Sequence, residues 1–244
     1  MPSKPKSTPP ITVAIFDLDD TLYDCLRQRV MAAHRHAARA MVRAGVKATV
    51  DQVFRARMKA FRTDPHLRHI DSEICRRFAV ADRPRIMHLA REAYFSCPVG
   101  KLTLFRGTRR VLRELQRRGV RLFVVTFGEP RTQRAKVRAL GLDREPCVEE
   151  IFYADTGNVV TKEAVFRRIM RRTGAAPENI LVVGDRPSGE IRAGNELGMR
   201  TVRLHRGEFA SLQPLGPGEQ AEFEIKGISQ VLKLPLQLGT DNAG

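Results

Sequence analysis

Short apolar runs alternate with amphipathic stretches along the later part of the chain. "GTRRVLRELQRRG" precedes "VRLFVVTF", "RTQRAKVRALG" follows it, "VFRRIMRRTG" leads to "ENILVVGD", and "IRAGNELG" leads to "MRTVRL". In the amphipathic stretches apolar positions recur at helical spacing, and each ends at a glycine able to take the left-handed backbone that closes a helix. The apolar runs are short, rich in Val, Leu and Ile, and do not alternate with polar residues, which is the pattern of strands buried on both faces. "ITVAIF", near the start, reads as another. Helix and strand in alternation predict an α/β fold: a doubly wound, Rossmann-like parallel sheet covered by helices.

Between the first strand and Leu104 the alternation stops and only helical periodicity remains. "CLRQRVMAAHRHAARAMVRAG" sets Leu26, Val30, Ala33, Ala37 and Met41 near one face, and "VDQVFRARMKAF" and "RPRIMHLAREAYF" behave alike. The chain is expected to divide into a core of residues 11–23 and 104–235 and an inserted α-helical cap domain of residues 24–103. "MPSKPKSTPP" is basic and Pro-rich without the apolar segment of a secretory signal, so residues 1–10 are expected as a disordered tail, with a short C-terminal tail at 236–244.

Composition narrows the class. With 244 residues and 42% hydrophobic side chains, the chain is long enough to bury a core. No apolar run reaches the roughly 18 residues of a membrane-spanning helix. The four cysteines are scattered, which fits a reducing cytoplasm better than a disulfide framework. A formal charge of +16 invites a nucleic-acid ligand, but aromatics are only 6% and neither an aromatic RNA-binding motif nor a zinc-finger spacing is present. The arginines are spread along helices, as solvated faces, and nucleic acid is disfavoured as a partner. The positive field would still attract a phosphorylated substrate.

In an open α/β sheet, ligands bind outside the carboxyl ends of the strands. "FDLDDTLYD" carries Asp17 and Asp19 off the first strand, "VVTF" ends in Thr126 before Gly128, "ILVVGD" ends in Asp185, and Lys162 opens the helix after "IFYADTGNVV". Residues i and i+2 of an extended chain face one way, so Asp17 and Asp19 can share a cavity that Asp185 joins. Carboxylates about 4 Å apart repel by on the order of 4 kcal/mol per pair at an effective dielectric of about 20, which calls for a cation. Oxygen ligands without His or Cys favour Mg²⁺.

"DLDDT" after an apolar strand, a later strand-end Thr, a Lys further on and "VVGDRPSGEI" resemble, in order, the motifs of the haloacid dehalogenase-like phosphohydrolases; the insert falls where that superfamily carries a C1-type cap. The resemblance implies that Asp17 attacks phosphorus and forms an aspartyl-phosphate, while Asp19 protonates the leaving oxygen and then takes a proton from water. It implies Mg²⁺ held by Asp17, Asp185 and the Asp19 carbonyl, with Glu190 a direct or water-mediated ligand. Thr126, the amides near Phe127 and Gly128, and Lys162 would bind the phosphoryl group, aided by the helix beginning near Arg131 if its N-terminus points there. Asp19 is expected to have a raised pKa from the neighbouring carboxylates. Two departures stand out: Ser188 occupies a position often acidic in relatives, and no Pro follows Lys162.

Each residue has an ordinary structural reading as well. Asp17 could be a helix cap or turn former, Thr126 a strand-end hydroxyl, Gly184 a tight-turn residue and Lys162 a solvated helix start; their order along the chain sets them apart. Lys136, mid-helix, is a poorer choice than Lys162. Asp20 and Asp24 read as turn or surface residues. His34 and His36 lie two apart on a helix, while His66 and His69 fall in an irregular stretch, so none is expected as a ligand.

The leading reading is a Mg²⁺-dependent phosphatase of a small phosphate monoester, acting as monomer or homodimer. Nucleotides, sugar phosphates and phosphoglycolate are all open as substrates, and "DLDDTLYD" is similar to pyrimidine 5′-nucleotidase-like members. Specificity is expected on the insert and the loop after Asp19. The alternatives are a phosphomutase, a C–halogen hydrolase, whose branch lacks a carboxylate at the Asp19 position, and a basic non-enzymatic binding protein on the same frame.

Overall fold

Val13–Phe16 (β1), buried at all positions, lies inside a six-stranded sheet completed by Arg121–Phe127 (β2), Val148–Ala154 (β3), Ile180–Gly184 (β4), Arg200–Leu204 (β5) and Phe223–Ile225 (β6). The order is β3-β2-β1-β4-β5-β6 and every pairing is parallel. The computed structural model describes residues 9–64, 67–155 and 160–239.

The apolar runs become the central strands because both sheet faces are covered. Val13 and Ile15 share one face with Phe123, Val125, Ile180 and Val182, packed against Phe166 and Ile169 of Lys162–Thr173, a helix. Register places the reactive residues together. Phe16 lies opposite Val124 and Val183, so Asp17 leaves the sheet beside Asp185, and the Asp17 amide donates to the Val183 carbonyl at 2.9 Å.

The described residues form two units, one holding those up to Asp24 and from Lys101 onward, the other Cys25–Gly100. The second is helical: Met31–Arg43 (α1), Val50–Thr63 (α2), Leu67–Arg77 (α3) and Arg83–Ser96 (α4). Ala37, Met41, Val53, Ile74, Ile86 and Ala90 meet in its core. A reciprocal cap starts α2, where Thr49 Oγ1 accepts from the Gln52 amide at 3.2 Å and Gln52 Oε1 accepts from the Thr49 amide at 2.8 Å. Arg57 of α2 is fully buried and ion-paired with buried Asp71 of α3. His34 is buried between the Phe61 and Tyr94 rings, and burial with the nearby Arg57 pushes its imidazole down to about 3, so it stays neutral. His69 lies in helix α3 rather than in an irregular stretch; His66 lies outside the described residues.

The insert leaves and re-enters the first unit at one place. Tyr23 bridges Leu104 in antiparallel fashion, and the Leu22 carbonyl accepts from the Phe105 amide at 2.9 Å and from Thr108 Oγ1 at 3.3 Å. Thr108–Arg117 (α5) then leads to β2, Pro130–Leu140 (α6) to β3, Lys162–Thr173 (α7) to β4 and Arg192–Glu196 (α8) to β5.

The expected tails need correction at their inner ends. Leu238 bridges Ile11, whose amide donates to the Gln237 carbonyl and whose carbonyl accepts from Gly239, both at 2.8 Å; residues 237–239 therefore belong to the folded unit. Pro10 is also tied down, its carbonyl accepting from Asn179 Nδ2 at 2.7 Å. Residues 1–8 and 240–244 lie outside the described set. The cysteines Cys25, Cys75, Cys97 and Cys147 are buried and form no disulfide among the described residues, where no helix is long and apolar enough to cross a membrane.

Candidate active site

Asp17, Asp185 and Glu190 each bring an oxygen to within 4.8 Å of the others, all three buried. Thr161 caps α7 by accepting from the Ala164 amide at 3.1 Å, which sets Lys162 at the first helical position. From there Lys162 Nζ donates to Asp17 Oδ1 at 2.5 Å and Glu190 Oε2 at 2.6 Å. The other oxygen of Glu190 accepts from the Arg186 amide at 2.6 Å. Gly184 makes room for this arrangement, since a Cβ there would lie 2.2 Å from Glu190 Cγ.

One lysine among three buried carboxylates leaves an excess of negative charge. Burial pushes the Asp17 carboxyl up to about 7, with Lys162 opposing and Glu190 and Asp19 adding to the rise. Asp185 is raised well above the carboxylate range by burial, then by Glu190, Asp17 and Asp20. Burial works against the Lys162 ammonium, yet Asp17 and Glu190 hold its pKa above that of a free lysine. Burial first, and like-charged neighbours second, disfavour ionisation of Asp17 and Asp185, and with Glu190 they offer a set of oxygen donors suited to a hard divalent cation.

Asp19 departs from its expected state. Burial alone would raise its carboxyl, but Lys136, Tyr23 and Gln133 bring it below the ordinary value. Lys136 Nζ lies 2.7 Å and Gln133 Nε2 3.2 Å from Oδ2, and Tyr23 donates to Oδ1 at 2.8 Å. Gln133 also donates to the Phe127 carbonyl at 2.8 Å, tying helix α6 to the end of β2. Lys136 therefore engages the opposite carboxylate from Lys162, and its mid-helix position does not keep it from the site. Lys136, Gln133 and Tyr23 were not marked as site residues by the sequence. The available signal was Gln133 and Lys136 three apart on the buried face of α6 that carries Val137 and Leu140.

Near the end of β2, Thr126 is buried and its hydroxyl has no hydrogen-bond partner among the described residues. Phe127 is partly exposed. The Gly128 amide is already donating to the Ala154 carbonyl at 3.1 Å, so it is not poised for a phosphate oxygen in this arrangement. The start of α6 is likewise occupied, because Glu129 accepts from the Arg131 and Thr132 amides at 2.9 and 2.7 Å. Asp20 is buried rather than superficial and its backbone is left-handed, with φ 55°.

The sequence profile of the haloacid dehalogenase-like hydrolases matches residues 11–198. The chain belongs to that family. Among proteins it resembles, a glyceraldehyde 3-phosphate phosphatase of Methanopyrus kandleri is 29% identical over 235 residues, 95% of this chain and 100% of the relative. A phosphoserine phosphatase of Thermus thermophilus is 29% identical over 120 residues, 49% of this chain and 46% of that one. The crystal structure of a haloacid dehalogenase-family hydrolase from Deinococcus radiodurans, with bound phosphate and sodium, shares the fold with a TM-score of 0.62 at 17% identity, covering 91% of this chain and 93% of that one. Family membership makes this chain a hydrolase and removes the ground for a non-enzymatic binding protein.

Proposed function

We propose that the protein is a Mg²⁺-dependent phosphohydrolase that cleaves a small phosphate monoester through an aspartyl-phosphate. The observation that carries this reading is the separate provision for two carboxylates at the end of β1. Asp17 is held by Lys162 and Asp19 by Lys136, so one can attack while the other moves protons. A C–halogen hydrolase has no task for the second carboxylate.

Asp17 attacks phosphorus in line with the leaving oxygen, forming the Asp17 O–P bond as the ester P–O bond breaks. Asp19 rests ionised beside Lys136, so it takes up a proton from solvent as the substrate's negative phosphate enters and opposes that lysine. It delivers this proton to the leaving oxygen, then takes one from the water that attacks the aspartyl-phosphate and frees Asp17. The Thr126 hydroxyl and Lys162 hold the phosphoryl oxygens. Asp17, Asp185 and the Asp19 carbonyl would hold Mg²⁺, with Glu190, which orients Lys162, as a direct or water-mediated ligand. When bound, the ion neutralises charge on the phosphoryl group.

The insert serves as a cap that selects the substrate. Triose phosphates head the candidates because the full-length relative is named for one, followed by phosphoserine. Purified protein with Mg²⁺ is expected to hydrolyse p-nitrophenyl phosphate, and within a panel of phosphorylated metabolites to give its highest kcat/KM on a three-carbon phosphate. Asp17→Asn should lower kcat more than about a thousandfold while circular dichroism stays unchanged. Full activity in that variant, in a preparation free of other phosphatases, would remove the nucleophile assignment.

A further inference from the structure

Asp20 takes no part in the chemistry described above, yet it is buried and left-handed. Apart from glycine, Asp and Asn tolerate that backbone best. Its Oδ2 accepts from the Glu208 amide at 3.2 Å, in the loop that follows β5. That loop is firmly held. Arg203, fully buried at the end of β5, donates to the Phe209 and Leu212 carbonyls at 2.9 and 2.6 Å. The Arg186 guanidinium lies 4.8 Å from the Phe209 ring centroid, and the His205 amide donates to Ile225 at 2.9 Å. Gly207, with φ 67°, lets the loop approach so closely that a Cβ would lie 1.9 Å from Asp20 Cγ.

The peptide plane that carries the Asp19 carbonyl also carries the Asp20 amide. Rotation about φ of residue 20 therefore swings that carbonyl relative to the Asp20 side chain. With the side chain anchored on Glu208 and φ confined, the direction of the carbonyl is confined too. We propose that Asp20 is a positioning residue: its hydrogen bond to the loop after β5 aims the Asp19 carbonyl into the cluster formed with Asp17 and Asp185. This rests on the reading of that carbonyl as a Mg²⁺ ligand, and it assigns to Asp20 a role as hydrogen-bond acceptor rather than as a charge.

The test compares Asp20→Asn, Asp20→Ala, Glu208→Pro and Glu208→Ala in the full chain. Asn keeps an acceptor and tolerates the left-handed backbone, whereas Glu208→Pro deletes the donor and leaves Asp20 in place. Asp20→Ala and Glu208→Pro should each raise the Mg²⁺ concentration for half-maximal activity about tenfold or more, with KM for p-nitrophenyl phosphate little changed. Glu208→Ala should stay close to the unmodified protein, and Asp20→Asn, which also removes a negative charge near Asp185, should shift that Mg²⁺ concentration by no more than about threefold. Hydrogen exchange in the metal-free protein should show faster exchange across residues 207–209 in Asp20→Ala but not in Asp20→Asn. Calorimetric Mg²⁺ titration should follow the same order, so a protein lacking phosphatase activity would still answer the question. An Asn variant as impaired as the Ala variant would overturn the hydrogen-bond role, and a Glu208→Pro variant with unaltered Mg²⁺ affinity would overturn the anchor, a result that also decides the matter if Asp20→Ala fails to fold.

Discussion

Asp19 accepts from Lys136, Gln133 and Tyr23, and Lys136 is itself almost fully buried. Replacing Lys136 by Met removes the cation that keeps this carboxyl below its ordinary pKa, so the pKa should rise. Carboxyl-carbon NMR of the variant should show Asp19 titrating at higher pH, and kcat should fall about a hundredfold, with KM less affected. An unmoved titration would mean that Lys136 does not control Asp19. This partnership was hidden in the sequence because it joins residues 117 positions apart. Asp17, Thr126, Lys162 and Asp185 were legible for the opposite reason: each ends an apolar run or opens a helix, where local pattern alone marks a strand end. The same locality misled on Asp20, which looks like a turn residue until the distant Glu208 amide meets it.

Helix α2 shows what pattern reveals and what residue class conceals. Val53, Ala56, Arg57, Ala60 and Phe61 are its buried positions, a single stripe at helical spacing. Arg57 sits in that stripe, although a high arginine content suggests solvated faces throughout. Asp71 is its partner; burial raises that carboxyl, and Arg57 opposes the rise. Removing one member of a buried pair strands the other, so Arg57→Met should destabilise the helical unit by about 3–5 kcal/mol. Adding Asp71→Leu should recover most of that loss, since a well-packed apolar pair avoids the desolvation of both ions. Urea denaturation of the full chain, followed by helical circular dichroism, checks this. A double variant no better than the single one would show that the pair contributes more than charge balance.

Across the whole molecule the net charge is strongly positive, while the site concentrates buried carboxylates. With Asp17 raised to about 7 and Asp185 raised as well, the metal-free folded state holds extra protons on these two carboxyls between the ordinary carboxylate range and about pH 7, which outweigh the one proton that neutral His34 forgoes below its ordinary pKa. Its stability should therefore fall as pH rises through that window. A divalent cation held by these carboxylates would favour their ionised form, so the effect of Mg²⁺ on Tm should be larger at about pH 8 than at about pH 5; thermal melts with Mg²⁺ and with chelator measure the difference, and equal gains at both values would contradict it. The parallel sheet was readable because apolar runs and helices alternate, but strand order was not, as it depends on which runs pair across long separations. β6 escaped the pattern because Phe223–Ile225 is only three residues long. The bridge between Tyr23 and Leu104 has a consequence for how such a chain can change. The first unit itself brings the two ends of the insert together, so the cost of closing that loop depends little on what lies between them. The segment from Cys25 to Gly100 is thus an exchangeable cassette: a helical module of another length or shape can be spliced between Tyr23 and Leu104 while β1 and its aspartates keep their place.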